Sequence, residues 1–198
     1  MDFPAVVYTY IYKRNNIKIY YPVIKHQHPL IDQKINERIQ QEIWLLYKLQ
    51  NVGENQIIEM LGTFELKTNE KNVLSLTIDN YTFSGGAHGL TLQKGLTFDL
   101  KSGKLYQLKD LFLPNIPYVK TLSGIVNDQI ESRNLPVFEK PVEITKNQYF
   151  YLADKCIVLF FQLYEILPYV YGFPYFPISI YDIQNLYNDK GLLGRMVR

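Results

Sequence analysis

Cysteine is almost missing from this chain. Cys156 is the only one, which excludes an intrachain disulfide and any cysteine-rich zinc site. It sits in "DKCIVLFF", an apolar strand pattern that reads as an inert buried thiol and not as a nucleophile. Charge of one sign is also missing. The net charge is +2 and the basic residues are scattered, so the electrostatic footprint of a nucleic-acid or membrane-surface binder is absent. No run is long and uncharged enough to span a bilayer. The opening "MDFPAVVYTYIYKRNN" alternates instead of carrying a basic start and an apolar stretch, and no signal peptide is read there. Internal repeats, low-complexity segments and Gly/Ser-rich linkers are lacking too.

Aromatic side chains are plentiful: 17 tyrosines and 11 phenylalanines in 198 residues. Tyrosine at this frequency suits strands and partner-facing surfaces, because the ring packs while its hydroxyl stays wet. Val6 to Tyr12 and Ile17 to Ile24 read as strands joined at "RNN". Ile31, Ile35, Ile39, Ile43 and Leu46 then recur at helical steps, with Gly53 as the stop. Ile57 to Thr68 and Val73 to Phe83 read as a hairpin around "NEKN". Leu74, Leu76 and Ile78 alternate with polar partners, which predicts one buried and one wet sheet face. Leu90 to Leu100 keep that period. A short helix or turn follows in "LYQLKDLFLPN", and Val119, Leu122, Val126 and Ile130 mark another helix. "QYFYLADKCIVLFFQLYEI" gives one or two strands, and a short helix closes the chain. Hairpins precede each helix. That order predicts an α+β fold, an antiparallel sheet with helices packed on one face.

Two segments stand out as candidate sites. "YTFSGGAHG" lacks the spacing of a phosphate-binding loop, and a strand rather than a helix follows it. Ser84 and His88 could form a nucleophile and base, but proximity supplies neither an orienting carboxylate nor an oxyanion hole. The plainer reading is that Gly85 and Gly86 supply positive φ for a wide connection while His88 bonds the loop backbone. His26 and His28 make only half a metal site. The second segment is "LYEILPYVYGFPYFPISI", too proline-rich for a central strand. It is either a core-capping loop or a preorganised aromatic contact surface.

"YTFSGGAHG", "LTFDLKSGKLYQLKDLF" and "YEILPYVYGFPYFPI" together resemble the extracytoplasmic region of the RsiV-type anti-sigma factors. There an RsiV-like module, corresponding here to 91–190, follows a smaller PdaC-type module also found beside polysaccharide deacetylase domains, here 5–90. The two modules are expected to share one core, since no linker separates Gly89 from Leu105. The resemblance implies a non-catalytic recognition domain of the bacterial envelope without cofactor, metal or catalytic residues. Its expected partner is a lysozyme-type protein or a cell-wall glycan. On this reading Ser84, Gly85, Gly86, His88, Pro174, Tyr175 and Phe176 form the partner-binding edge. The rival reading is a hydrolase acting on a cell-wall or glycan substrate with His88 in its active site.

Overall fold

The structure is a computed structural model that describes residues 3–50 and 57–198. It is a mixed α+β fold with a large, mostly antiparallel sheet and a few helices. The chain divides into two compact units, Met1–Leu105 and Tyr106–Arg198. No helix among the described residues is long and apolar enough to cross a membrane.

The first unit opens with a hairpin of β1 (Val6–Arg14) and β2 (Ile17–Lys25), paired along their whole length. Asn15 turns the chain at φ 50°, a conformation that asparagine tolerates better than most residues. Helix α1 (Pro29–Gln50) begins on proline, whose fixed φ and missing N–H suit the first helical turn. Asp32 Oδ2 accepts a hydrogen bond from the His26 backbone N–H at 2.9 Å. Ile35, Ile39, Ile43 and Leu46 form the expected buried stripe, with Ile31 packed at its margin. The expected stop at Gly53 lies outside the described residues.

Strands β3 (Glu59–Glu70) and β4 (Val73–Phe83) turn through Lys71 and Asn72. Both have positive φ, 50° and 56°, as a tight two-residue hairpin loop requires. β5 (Leu90–Asp99) and a short β6 (Leu105–Tyr106) complete a six-stranded sheet in the order β1-β2-β3-β4-β5-β6. The β4–β5 hairpin runs across residues 90 and 91, where the sequence modules were expected to meet. β2 and β3 run parallel, pairing Ile17–Ile19 with Met60–Gly62. A Cβ on Gly62 would come within 2.6 Å of Ile19 Cγ2, so glycine permits this close approach.

Helix α1 covers β2, β4 and β5 over Leu74, Leu76, Ile78, Leu96 and Phe98. The other side of β4 is not wet, as alternation alone suggests. Ser75, Thr77 and Thr97 are buried, and the Ser75 and Thr97 hydroxyls bond each other at 2.8 Å. Small hydroxyl residues alternate with leucine whether their face meets water or is covered, because paired hydroxyls satisfy each other. Glu42 on α1 is 3% exposed and pairs with Arg38 and Lys94.

In the second unit α2 (Tyr118–Ser132) buries Tyr118, Leu122, Val126 and Ile130 and packs on β9 (Tyr175–Ser179). That strand closes an antiparallel sheet in the order β7-β8-β9, with β7 at Phe150–Ala153 and β8 at Cys156–Phe160. Pro177 lies opposite Val158 on this edge strand, a position where a missing N–H is tolerated. Two short elements, not one, end the chain: a 3₁₀ segment at Ile180–Leu186 and α3 (Leu192–Val197).

Candidate functional site

In the first unit, residues 84–89 join β4 to β5. Gly85 and Gly86 have φ of 105° and 92°, the conformation expected of them. A Cβ on Gly86 would meet open space, so backbone conformation alone demands glycine there. Gly89 differs: it is buried, and a Cβ would collide with the Tyr81 ring and the Thr82 carbonyl. Ser84 through His88 are exposed, which leaves the main chain open to approach. His88 Nδ1 donates to the Gly89 carbonyl at 2.9 Å, placing a proton on Nδ1. The ring therefore turns back on its own loop. The loop is anchored beneath by Gln50, whose Nε2 donates to the Leu90 carbonyl at 2.8 Å while its Oε1 accepts from Asn80 at 2.6 Å.

In the second unit, the aromatic segment splits into a hidden and an offered half. Phe176 is 0% exposed. Its ring meets Phe161 edge-on at 5.8 Å, with the Arg133 guanidinium 5.5 Å from its centroid. Pro174 is buried as well. Tyr175 is half-buried against Phe160, Tyr151 and Phe173 at centroid distances of 6.0–6.2 Å. The expectation that Phe176 offers apolar anchor area is therefore corrected: as part of β9 its side chain belongs to the interior. Arg133 Nη1 also donates to the Tyr175 carbonyl at 2.8 Å, tying α2 to that strand.

The offered half lies a few residues earlier. Val170 is 85% exposed and Tyr171 53%, on a 3₁₀ turn of Tyr169–Tyr171. Pro168 precedes that turn, and Gly172 ends it at φ 69°. Tyr164 is also exposed and stands at φ 66°, an uncommon backbone state for an aromatic residue. Its ring lies 5.3 Å from that of Tyr169. Exposed Phe138 sits alongside, its N–H donating to the Ile166 carbonyl at 3.0 Å. Tyr164, Val170 and Tyr171 lie in the aromatic segment singled out from the sequence, but they were not among the residues expected to form its binding edge. The usable signal was "PYVYG", a tip bracketed by proline and glycine.

Burial, with Asp154 and Asp182 nearby, pushes the Cys156 thiol above its ordinary pKa, which lowers its thiolate content. His26 bonds the Phe3 carbonyl through Nε2 at 3.0 Å. Among the described residues no group of three His, Cys, Asp or Glu side chains gathers in a way that could hold a metal ion.

The geometry thus defines a two-unit α+β protein with one loop of uncovered backbone and one tip of exposed rings. Residues 109–181 match the family model described as protein of unknown function (DUF3298), and residues 11–91 match the one described as deacetylase PdaC. The PdaC match ends as β5 begins, whereas the compact unit continues to Leu105. A comparison with curated proteins gives no match. Among solved structures, a member of the DUF3298 family from Bacteroides fragilis is similar, with a TM-score of 0.63 and 16% identity over 99% of this chain and 96% of that one. A DUF3298 family protein from Pseudomonas aeruginosa PAO1 is similar with a TM-score of 0.65 and 13% identity, over 95% and 94%. At these identities the likeness is one of fold.

Proposed function

We propose that this chain is a non-catalytic recognition module of the bacterial envelope that docks a protein partner of lysozyme type. The observation that carries the reading is the exposed tip of Val170 and Tyr171, held between Pro168 and Gly172. A stiff tip loses little entropy on binding, and tyrosine is a frequent hot-spot residue. Tyr164 and Phe138 widen the apolar area in the same unit. In the first unit, and independently of that tip, the open main chain at Gly85 and Gly86 is suited to hydrogen bonding by polar groups of a ligand. The resemblance to the RsiV-type receptors supports the choice of lysozyme, and the matches to the DUF3298 and PdaC models agree with the module order.

The test is capture of the full chain on immobilised lysozyme, with affinities measured for the wild type, Val170→Asp and Tyr171→Ala. Tyr171→Ala should cost about 2 kcal/mol of binding, as a hot-spot anchor does, and leave the melting temperature unchanged. Absence of capture, or equal affinity in all three proteins, refutes the docking reading. Glycan cleavage by the wild type that His88→Ala abolishes would assign the chain to the hydrolases instead.

A further inference from the structure

The first unit carries a cleft that the docking loops do not use. Residues of α1 and the β1–β2 hairpin line an inner cavity of about 190 Å³: Tyr12, Ile19, Tyr21, Gln40, Ile43 and Trp44. A wider, open hollow of about 570 Å³ along α1 shares Gln40 and Trp44 with it. Trp44 is 37% exposed. Edge-on contacts with Tyr12 and Tyr47, at centroid distances of 5.1 Å and 5.4 Å, hold it in place. Tyr10 and Tyr21 face each other across the hairpin, with centroids 6.1 Å apart. Tyr8, Tyr10 and Tyr12 stand at two-residue steps on β1 and therefore share a face. Their backbone positions repeat every ~6.8 Å, so a row of aromatic side chains leads from the cavity along the hairpin.

The lining selects the ligand. No charged side chain lines the inner cavity, so an ion entering it would lose water with no countercharge in return. A wholly apolar ligand would gain from the rings but ignore the Gln40 amide, for which no partner is found among the described residues. Flat rings suit C–H faces, and an amide both donates to and accepts from hydroxyls. A pyranose ring presents both features. The inner cavity is smaller than the ~300–1,000 Å³ of drug-sized sites and holds a single ring, while the hollow and the tyrosine row offer room for its neighbours. We propose that this cleft binds a neutral oligosaccharide, with Trp44 at the junction of successive sugar rings and Gln40 bonding their hydroxyls. The site lies in the first unit and does not depend on the protein-docking tip of the second.

Trp44 is the chain's one tryptophan, so its emission reports this cleft alone. The full chain is titrated with cellotetraose and chitotetraose at about 0.05 M and about 0.5 M salt, which screen exposed charges very differently. The expected result is a saturable emission change with equal affinity at both salts, and weaker binding of single sugars. Gln40→Ala, at an exposed helix position, should bind about three- to tenfold more weakly, the loss of one neutral hydrogen bond, and melt like the wild type. No emission change with either tetrasaccharide at millimolar concentration, or wild-type affinity in Gln40→Ala, overturns the proposal. A response to an uncharged proline-rich peptide but to neither sugar gives the cleft to a peptide and overturns it equally. Lysozyme capture by Gln40→Ala stays at the wild-type level, so failure of this proposal is distinguishable from failure of the docking reading.

Discussion

Between Phe83 and Leu90 the chain shows its backbone, and between Pro168 and Gly172 it shows its side chains. Both stretches use glycine at positive φ, yet with opposite results. Gly85 and Gly86 carry nothing that could cover the main chain around them. Gly172 instead ends a turn that leaves Val170 and Tyr171 exposed, while Tyr169 is half-buried beside Tyr164. What decides exposure is the element on either side of the glycine. After Gly172 the chain enters β9, where alternation sends Phe176 and Ile178 into the interior while Pro177 points out. Ring content alone therefore misleads: residues six positions apart, Val170 and Phe176, lie at opposite extremes of burial.

The largest expected effect tests that hidden half. Phe176→Ala should destabilise the protein by about 3–5 kcal/mol, the usual cost of emptying a buried phenylalanine site. Urea unfolding of this variant beside Tyr171→Ala checks the contrast, because the exposed tyrosine should change stability by less than about 0.5 kcal/mol. Similar stability losses in both variants would erase the distinction between the two halves.

A smaller effect separates the glycines of the first loop. Gly89→Ala must displace both the Tyr81 ring and the Thr82 carbonyl, and should cost about 1–3 kcal/mol as an overpacked site. Gly86→Ala meets no neighbour but forces alanine to φ 92°, at about 1–2 kcal/mol. Shortening Tyr81 tells them apart. In a Tyr81→Ala background Gly89→Ala should recover part of its loss, and Gly86→Ala should recover none. Equal responses to Tyr81→Ala would show that both positions are limited by backbone conformation alone.

Much of this architecture was legible because periodic burial leaves a periodic trace. The α1 stripe from Ile35 to Leu46, the α2 stripe and the β4–β5 alternation all appear where apolar spacing predicts them. The parallel β2–β3 pairing was not legible, since three paired residues separated by a helix leave no local pattern. Nor was the covering of Ser75 and Thr77, because polar alternation is silent about whether water or protein lies beyond. At the loops, the glycine φ values and the His88 backbone bond were readable from residue type. The exposure of His88 was not; its bond to the buried Gly89 is itself part-buried and falls in the ordinary range of about 0.5–1.5 kcal/mol. The cleft at Trp44 escaped notice for a different reason: Tyr12, Gln40 and Trp44 meet only once the hairpin lies under α1.

The smallest effect concerns the hairpin that carries the glycine loop. Asp79, five residues before Ser84 on β4, accepts a hydrogen bond from Gln93 Nε2 on β5 at 2.7 Å. Burial nevertheless raises its pKa above the ordinary carboxylate value; the Gln93 bond and Lys67 pull the other way, and Glu65 adds to the rise. The folded protein then holds this proton more tightly than the unfolded chain does. The resulting stabilisation is fully present below the unfolded pKa and is lost as pH rises through the folded one. Asp79→Asn keeps a carbonyl oxygen for Gln93 and removes the charge that burial penalises. The variant should therefore melt above the wild type at pH 7, with the gap closing as the solution is acidified through the carboxylate range. Thermal melts of both proteins across that range measure the gap directly. A gap that stays constant would mean that folding leaves this carboxyl's proton affinity unchanged, and one that widens toward acid that the charged carboxylate helps to hold the hairpin; either outcome refutes the raised pKa.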